Sequence, residues 1–190
     1  AAELGYVAAA REPTVAVLKC NGTCQNAPDK VVYTGMKSCQ MAARVSVGRS
    51  GCPNGCLRFG DCVRACPFGA LSMGDDGLPI VDKDICTGCG KCVSTCPQAI
   101  LTLQTFAAPV QVGCSSHDKG AVARKLCKNA CIGCGLCMRS CTHGAIKLEN
   151  NLAVVDQSIC KLCDDPTCLA KCPTRAIEAM TGIKETCQTA

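Results

Sequence analysis

The sequence predicts an α+β fold of two tandem modules with one small extra α/β lobe, on three observations. First, cysteine recurs in four short runs: Cys52, Cys56, Cys62 and Cys66; Cys86, Cys89, Cys92 and Cys96; Cys131, Cys134, Cys137 and Cys141; and Cys160, Cys163, Cys168 and Cys172. Second, each run leads into a related tail, PFGAL, PQAI, THGAI or PTRAI. Third, LPIVDKDIC at 78–86 returns as LAVVDQSIC at 152–160, with Leu, Val, Asp, Ile and Cys in matching places. Self-similarity of this kind is an architectural signal. The gaps decide how the copies group. Cys66 to Cys86 and Cys141 to Cys160 are short links, whereas Cys96 to Cys131 is longer. The runs therefore pair first with second and third with fourth.

The second run reads CTGCGKCVSTCP, four cysteines at spacings of two, two and three with proline after the last. This is the bacterial ferredoxin run, in which three thiolates wrap one [4Fe–4S] cube and the fourth reaches a neighbouring cube. Gly88 and Gly90 lie between the ligands, where the backbone passes close to inorganic sulfide and positive φ is useful. Zinc knuckles need two CxxC pairs separated by a longer arm, and this run has no such arm. The third run keeps the same spacing, the first stretches it to three, five and three, and the fourth to two, four and three. The modules are accordingly expected to be ferredoxin-like, each with two [4Fe–4S] clusters.

Crossed ligation then assigns the ligands. Cys52, Cys56, Cys62 and Cys96 are expected on the first cluster, and Cys86, Cys89, Cys92 and Cys66 on the second. Cys131, Cys134, Cys137 and Cys172 are expected on the third, and Cys160, Cys163, Cys168 and Cys141 on the fourth. The same cysteines serve as the iron ligands, and no zinc is expected.

Composition agrees. The chain has 22 cysteines in 190 residues. Their tight clustering suits metal better than disulfides between distant strands, and thiolates of this kind need a reducing compartment. With no Trp, two Tyr and three Phe, much of the core is expected to be cluster and the unloaded chain to fold poorly. The formal charge of +5 counts every thiol as neutral. Four thiolate-ligated cubes add about −8 and leave the loaded chain at about −3. Nucleic acid is therefore excluded as a partner, and the scarcity of stacking aromatics agrees. No stretch is long and apolar enough to cross a membrane. The N-terminal AAELGYVAAA lacks the charged leader and apolar run of a signal peptide. A chain that opens on Ala1 rather than methionine reads as a fragment.

Taken in order, residues 1–50 are read as the first half of the extra lobe. PTVAVLKC at 13–20 is a buried strand ending on Cys20, NGTC a turn with Cys24, and KSCQMAARV a helix opening near Cys39. Residues 51–106 form the first dicluster module. Residues 107–128 complete the lobe, with a strand APVQVGCSS ending on Cys114 and a helix DKGAVARKLCK carrying Cys127. Residues 129–182 form the second module, and 183–190 a tail in which Cys187 is free. Parallel pairing of the two lobe strands would bring Cys20 and Cys114 together. Cys24 is one turn away, and Cys39 opens a helix whose dipole favours a thiolate. Cys20, Cys24, Cys39 and Cys114, with Cys127 as substitute for Cys114, are thus the candidate ligands of a fifth cluster, against the plainer reading of buried structural thiols.

Other features carry less. Lys119, Arg124, Lys125 and Lys128 read as the solvated face of a helix rather than a docking patch. His143 is a loop histidine, and Thr142 stands where the other runs have proline. GxGxxG, a P-loop and a Ser/His/Asp arrangement are absent, so no site for converting a substrate is legible.

One resemblance organises these motifs. CNGTC, GCPNGCLRFGDCVRACPFGA, CTGCGKCVSTCP, VGCSSHDKG and CIGCGLCMRSC followed by LENNLAVVD succeed one another over nearly the whole chain. In that order they closely resemble the cytoplasmic part of the B subunit of the Rnf complex, in its polyferredoxin form. The resemblance implies an electron-transfer subunit of a membrane-bound, ion-translocating ferredoxin:NAD oxidoreductase, in which soluble ferredoxin donates electrons and other subunits of the complex are partners. It also implies a place on the cytoplasmic side of the cell membrane, with this stretch itself soluble. The alternative is a free-standing polyferredoxin, or an Fe–S wiring subunit of another redox enzyme such as a hydrogenase.

Overall fold

Short apolar strands alternate with one- and two-turn helices throughout the computed structural model, which describes residues 12–45 and 48–180. The N-terminal AAELGYVAAA, and Cys187 with the tail 183–190, lie outside the described residues. In chain order the elements are β1 (Thr14–Leu18), α1 (Cys39–Val45), α2 (Asp61–Arg64), β2 (Leu71–Met73), β3 (Pro79–Val81), α3 (Lys91–Thr95) and β4 (Leu101–Thr105). Then come β5 (Val110–Val112), α4 (Gly120–Leu126), α5 (Leu136–Ser140), β6 (Ile146–Glu149), β7 (Leu152–Val155), α6 (Gln157–Cys160), α7 (Cys168–Lys171) and β8 (Ile177–Ala179).

All four sheets described are two-stranded and antiparallel: β1 with β4, β2 with β3, β5 with β8, and β6 with β7. The second half repeats the first. A hairpin follows the first run of each half, and a leading strand pairs with a closing strand that follows the second run. The two lobe strands expected to pair in parallel therefore do not meet. Thr14 lies opposite Thr105 and Leu18 opposite Leu101, while Val110 lies opposite Ala179 and Val112 opposite Ile177. The reason is packing. Four of the five β1 residues and all of β5 are buried. Each strand buries that surface against the nearest unpaired strand of its own half, and antiparallel pairs of this length need no crossover.

Two main cores result, one in each half. One gathers Ala16, Leu18, Leu71, Leu78, Ile100 and Leu101 around Cys20, Cys62 and Cys92. The other gathers Val110, Val112, Ile146 and Ile177 around Cys114, Cys131, Cys137, Cys160 and Cys168. Buried thiols thus belong to both cores, and partly buried ones pack against them. Helices of four to seven residues cannot stand alone in water. Four of them each place one buried cysteine against a core: Cys62 on α2, Cys92 on α3, Cys137 on α5 and Cys168 on α7.

Candidate metal centres

The first three ferredoxin runs bend because residues between their cysteines take left-handed backbone: Arg58 and Gly60, Gly88 and Gly90, Gly133 and Gly135. Gly88 has φ of 66°, and a Cβ there would collide with the carbonyl oxygen of Thr14 on β1. The loop can thus close only around glycine, and closing it turns the thiols of Cys86, Cys89 and Cys92 inward. Cys66, from the preceding run, lines the same cavity. The tails serve the fourth cysteine of each run. Gly144 (φ 65°) and Arg175 (φ 51°) turn the chain, and the next N–H donates back to sulfur: Ala145 to Cys141 Sγ at 3.3 Å and Ala176 to Cys172 Sγ at 3.2 Å. Around Cys66 burial works against the thiolate, but the N–H groups of Phe68, Ala70, Leu71 and Gly69 outweigh it and hold the thiol below its ordinary value. From β1, Ala16 N–H donates to Cys86 Sγ at 3.4 Å.

Several buried thiols run the other way. Burial pushes Cys137 up to about 11, and the charges of Cys131, Cys172 and Cys134 add to it. Burial pushes Cys168 up to about 11 as well, with Cys160, Cys141 and Cys163 adding. Cys92 is raised by burial and then by Cys86 and Cys66. Cys92, Cys137 and Cys168 thus each feel neighbours from both runs of their half, the fourth cysteine of the other run among them.

The first run is placed differently. Cys56, Cys62 and Cys96 share a cavity with Cys39, not with Cys52. Burial raises the Cys62 thiol to about 11, and its charged neighbours are Cys39 and Cys96. Cys52 lines a separate cavity with Cys20, Cys114, Cys127 and, in the shared wall, Cys56. The expected foursome of Cys20, Cys24, Cys39 and Cys114 is therefore split, and Cys24 is exposed. Loops rather than strand pairing bring Cys20 to Cys114. Asn21 N–H donates to Gly113 O at 2.8 Å, and Ser115 Oγ donates to Lys19 O at 2.9 Å. A Cβ on Gly113 would overlap the Asn21 side chain, so this approach requires glycine.

These sets fit iron–sulfur clusters by their donor chemistry. All 21 cysteines among the described residues are free of disulfides. No three Cys, His or carboxylate side chains among them converge on a point that would hold a single metal ion. The thiols ring cavities instead. A cationic core would offset the burial and mutual repulsion that raise thiols such as Cys137 and Cys168.

Arg58 is a residue that spacing alone did not single out. Its guanidinium is buried, donates to the carbonyls of Gly22 at 2.7 Å, Thr23 at 3.0 Å and Ala27 at 2.7 Å, and pairs with Asp29 at 2.9 Å. It fastens the loop after Cys20 onto the first run. The basic residues Lys119, Arg124, Lys125 and Lys128 are exposed around α4, and His143 and Thr142 are exposed in a loop. No helix among the described residues is long and apolar enough to cross a membrane.

Comparison with known proteins matches residues 49–101 to a 4Fe-4S dicluster domain and 128–147 to a 4Fe-4S binding domain. The B subunit of the proton-translocating ferredoxin:NAD(+) oxidoreductase complex of Clostridium ljungdahlii is 52% identical over 169 residues, covering 89% of this chain and 60% of that protein. The B subunit of the Na(+)-translocating ferredoxin:NAD(+) oxidoreductase complex of Acetobacterium woodii is 45% identical over 174 residues, 92% of this chain and 52% of its own length. The B subunit of the ion-translocating oxidoreductase complex of Methanosarcina acetivorans is 42% identical over 175 residues, 92% of this chain and 66% of its own. The chain thus spans between about half and two thirds of the length of these relatives. With two ferredoxin-type 4Fe-4S domains and kinship over about nine tenths of its length, the chain belongs with the B subunits of the ion-translocating ferredoxin:NAD(+) oxidoreductase complexes.

Proposed function

We propose that this chain relays electrons from reduced soluble ferredoxin through a row of [4Fe–4S] clusters, as part of a membrane-bound ion-pumping ferredoxin:NAD oxidoreductase. The observation that carries this reading is the crossed gathering of thiols in both halves. Cys66 stands with Cys86, Cys89 and Cys92 around one cavity. In the second half Cys172 is a charged neighbour of Cys137 together with Cys131 and Cys134, and Cys141 of Cys168 together with Cys160 and Cys163. Sites that share runs in this way stand side by side.

When bound, a [4Fe–4S] cluster supplies one-electron chemistry at a potential set by hydrogen bonds to sulfur, burial and charge. The chain's residues would tune that. The N–H groups of Ala16, Ala145 and Ala176 favour charge on the ligand sulfurs, which are partly buried against the apolar cores. The row of sites lies within a pair of dicluster modules at about 51–106 and 129–182, on the cytoplasmic face of the membrane. Other subunits of the complex would take the electrons onward to NAD, since no nucleotide fingerprint is present in the sequence.

The test is electron transfer without conversion. The anaerobically loaded chain, mixed with reduced ferredoxin and NAD, should bleach in the visible range while no NADH accumulates. NADH formation by this chain alone would overturn the relay reading in favour of an enzyme with its own nucleotide site.

A further inference from the structure

Resting on the reading that these cysteines hold [4Fe–4S] clusters, we infer a fifth four-thiolate site between the two modules, formed by Cys20, Cys52, Cys114 and Cys127. Cys39, not Cys52, then completes the site of Cys56, Cys62 and Cys96.

The first argument is register. Residues 56–66, CLRFGDCVRAC, lie against 131–141, CIGCGLCMRSC, without a gap. Cys56 matches Cys131, Cys62 matches Cys137 and Cys66 matches Cys141. The backbone agrees: Arg58 has φ of 61° where Gly133 has 65°, and Gly60 has 72° where Gly135 has 70°. Opposite Cys134 stands Phe59. The first run therefore lacks its middle thiol, and Cys52 lies outside the run.

Cys39 supplies the missing group. It lines the cavity of Cys56, Cys62 and Cys96, and the N–H groups of Asp61 and of Phe59 itself point to its sulfur. Asp61, which opens α2, holds α1 in place there. Its carboxylate accepts from Ser38 Oγ at 2.8 Å and from Gln40 N–H at 3.2 Å.

Cys52, so released, has a counterpart in Cys127. Each stands four positions before the first thiol of its run, Cys56 or Cys131. Cys20 and Cys114 are counterparts as well. Each lies two residues beyond a leading strand, β1 or β5, and each sulfur accepts the N–H two residues on, from Gly22 at 3.4 Å and from Ser116 at 3.5 Å. Two matched pairs, one from each half, face one cavity. Burial raises the Cys52 and Cys127 thiols to about 11, and both are charged neighbours of Cys20 and Cys114.

The flanking sites adjoin this one through their own ligands. Cys56 N–H donates to Cys20 Sγ at 3.4 Å, and Cys131 N–H points to Cys114 Sγ. Lys128 N–H to Asn26 O at 2.8 Å ties the halves together beside it. The fifth site is thus the junction between the first cluster and the third.

Iron and sulfide analysis of anaerobically loaded variants tests the grouping. The unsubstituted chain should hold about 20 iron, and Cys24→Ala should keep them all. Cys20→Ala, Cys127→Ala and their double variant should each lose about four, because both residues serve one site. Cys20→Ala with Cys39→Ala should lose about eight, because they serve two. A loss of only about four in that last variant would overturn the grouping. Because a substitution can also cost the fold, thiol alkylation mapped on the loaded, unsubstituted chain gives a second reading. Cys24 should label while Cys20, Cys39, Cys52 and Cys127 stay protected; labelling of Cys20 and Cys127 at a steady 16 iron would remove the fifth site and leave the four-cluster reading standing. Saturation near eight iron would instead sink that underlying reading.

Discussion

Arg58 shows how one residue type alters a run. An L-residue in left-handed backbone costs about 1–2 kcal/mol relative to glycine, yet Arg58 takes that conformation where the regular runs have Gly88 and Gly133. Its side chain, 4% exposed, compensates by anchoring three carbonyls and Asp29. Removing it leaves those acceptors without a donor in a site closed to water. Asp29 is partly exposed and recovers some solvation, which lowers the loss. Arg58→Ala should therefore destabilise the loaded protein by about 2–4 kcal/mol, read as a lower denaturant midpoint under anaerobic conditions; an unchanged midpoint would mean the clamp holds nothing. A second prediction concerns Cys66. Since its thiol faces the cavity of the following run, Cys66→Ala should expose Cys86, Cys89 and Cys92 to alkylation while Cys62 and Cys96 stay protected. Labelling of Cys62 with protection of Cys86 would mean that each run closes its own cube.

At the scale of elements, the sequence was legible wherever the signal is local. Short apolar runs marked β1 and β5, and the helices at Cys39 and from Gly120 fall within the stretches read as helical. Pairing was not legible. Strands of three to five residues carry too little pattern to name a partner, and β1 finds β4 more than eighty residues on, Leu18 opposite Leu101, because burial of both its faces demands a neighbour from its own half. The same limit hid the grouping of the first run. Four cysteines from Cys52 to Cys66 satisfy a count of four, and only alignment of 56–66 with 131–141 shows that Phe59 occupies a ligand's place. Cys39 is remote in sequence and reaches that place through α1 and the Asp61 carboxylate, contacts that no spacing rule encodes. The tails, by contrast, are visible as repeats in the sequence alone: each turns the chain in left-handed backbone, and Ala145 and Ala176 then aim an N–H at sulfur.

At the scale of the whole molecule, two similar halves meet at Cys20, Cys52, Cys114 and Cys127. Buried thiols stand in both cores where aromatic side chains are scarce: the 190 residues include three Phe, two Tyr and no Trp. Folding and loading are accordingly one event. The halves joined at a shared site form one path rather than two separate stores, and a path is what a relay requires. The most direct check is an anaerobic titration of the loaded chain with reduced ferredoxin, counting electrons taken up per chain from the visible bleaching. One electron per cluster predicts uptake of about five. Saturation at about two or fewer, in protein that holds its full iron, would contradict the relay.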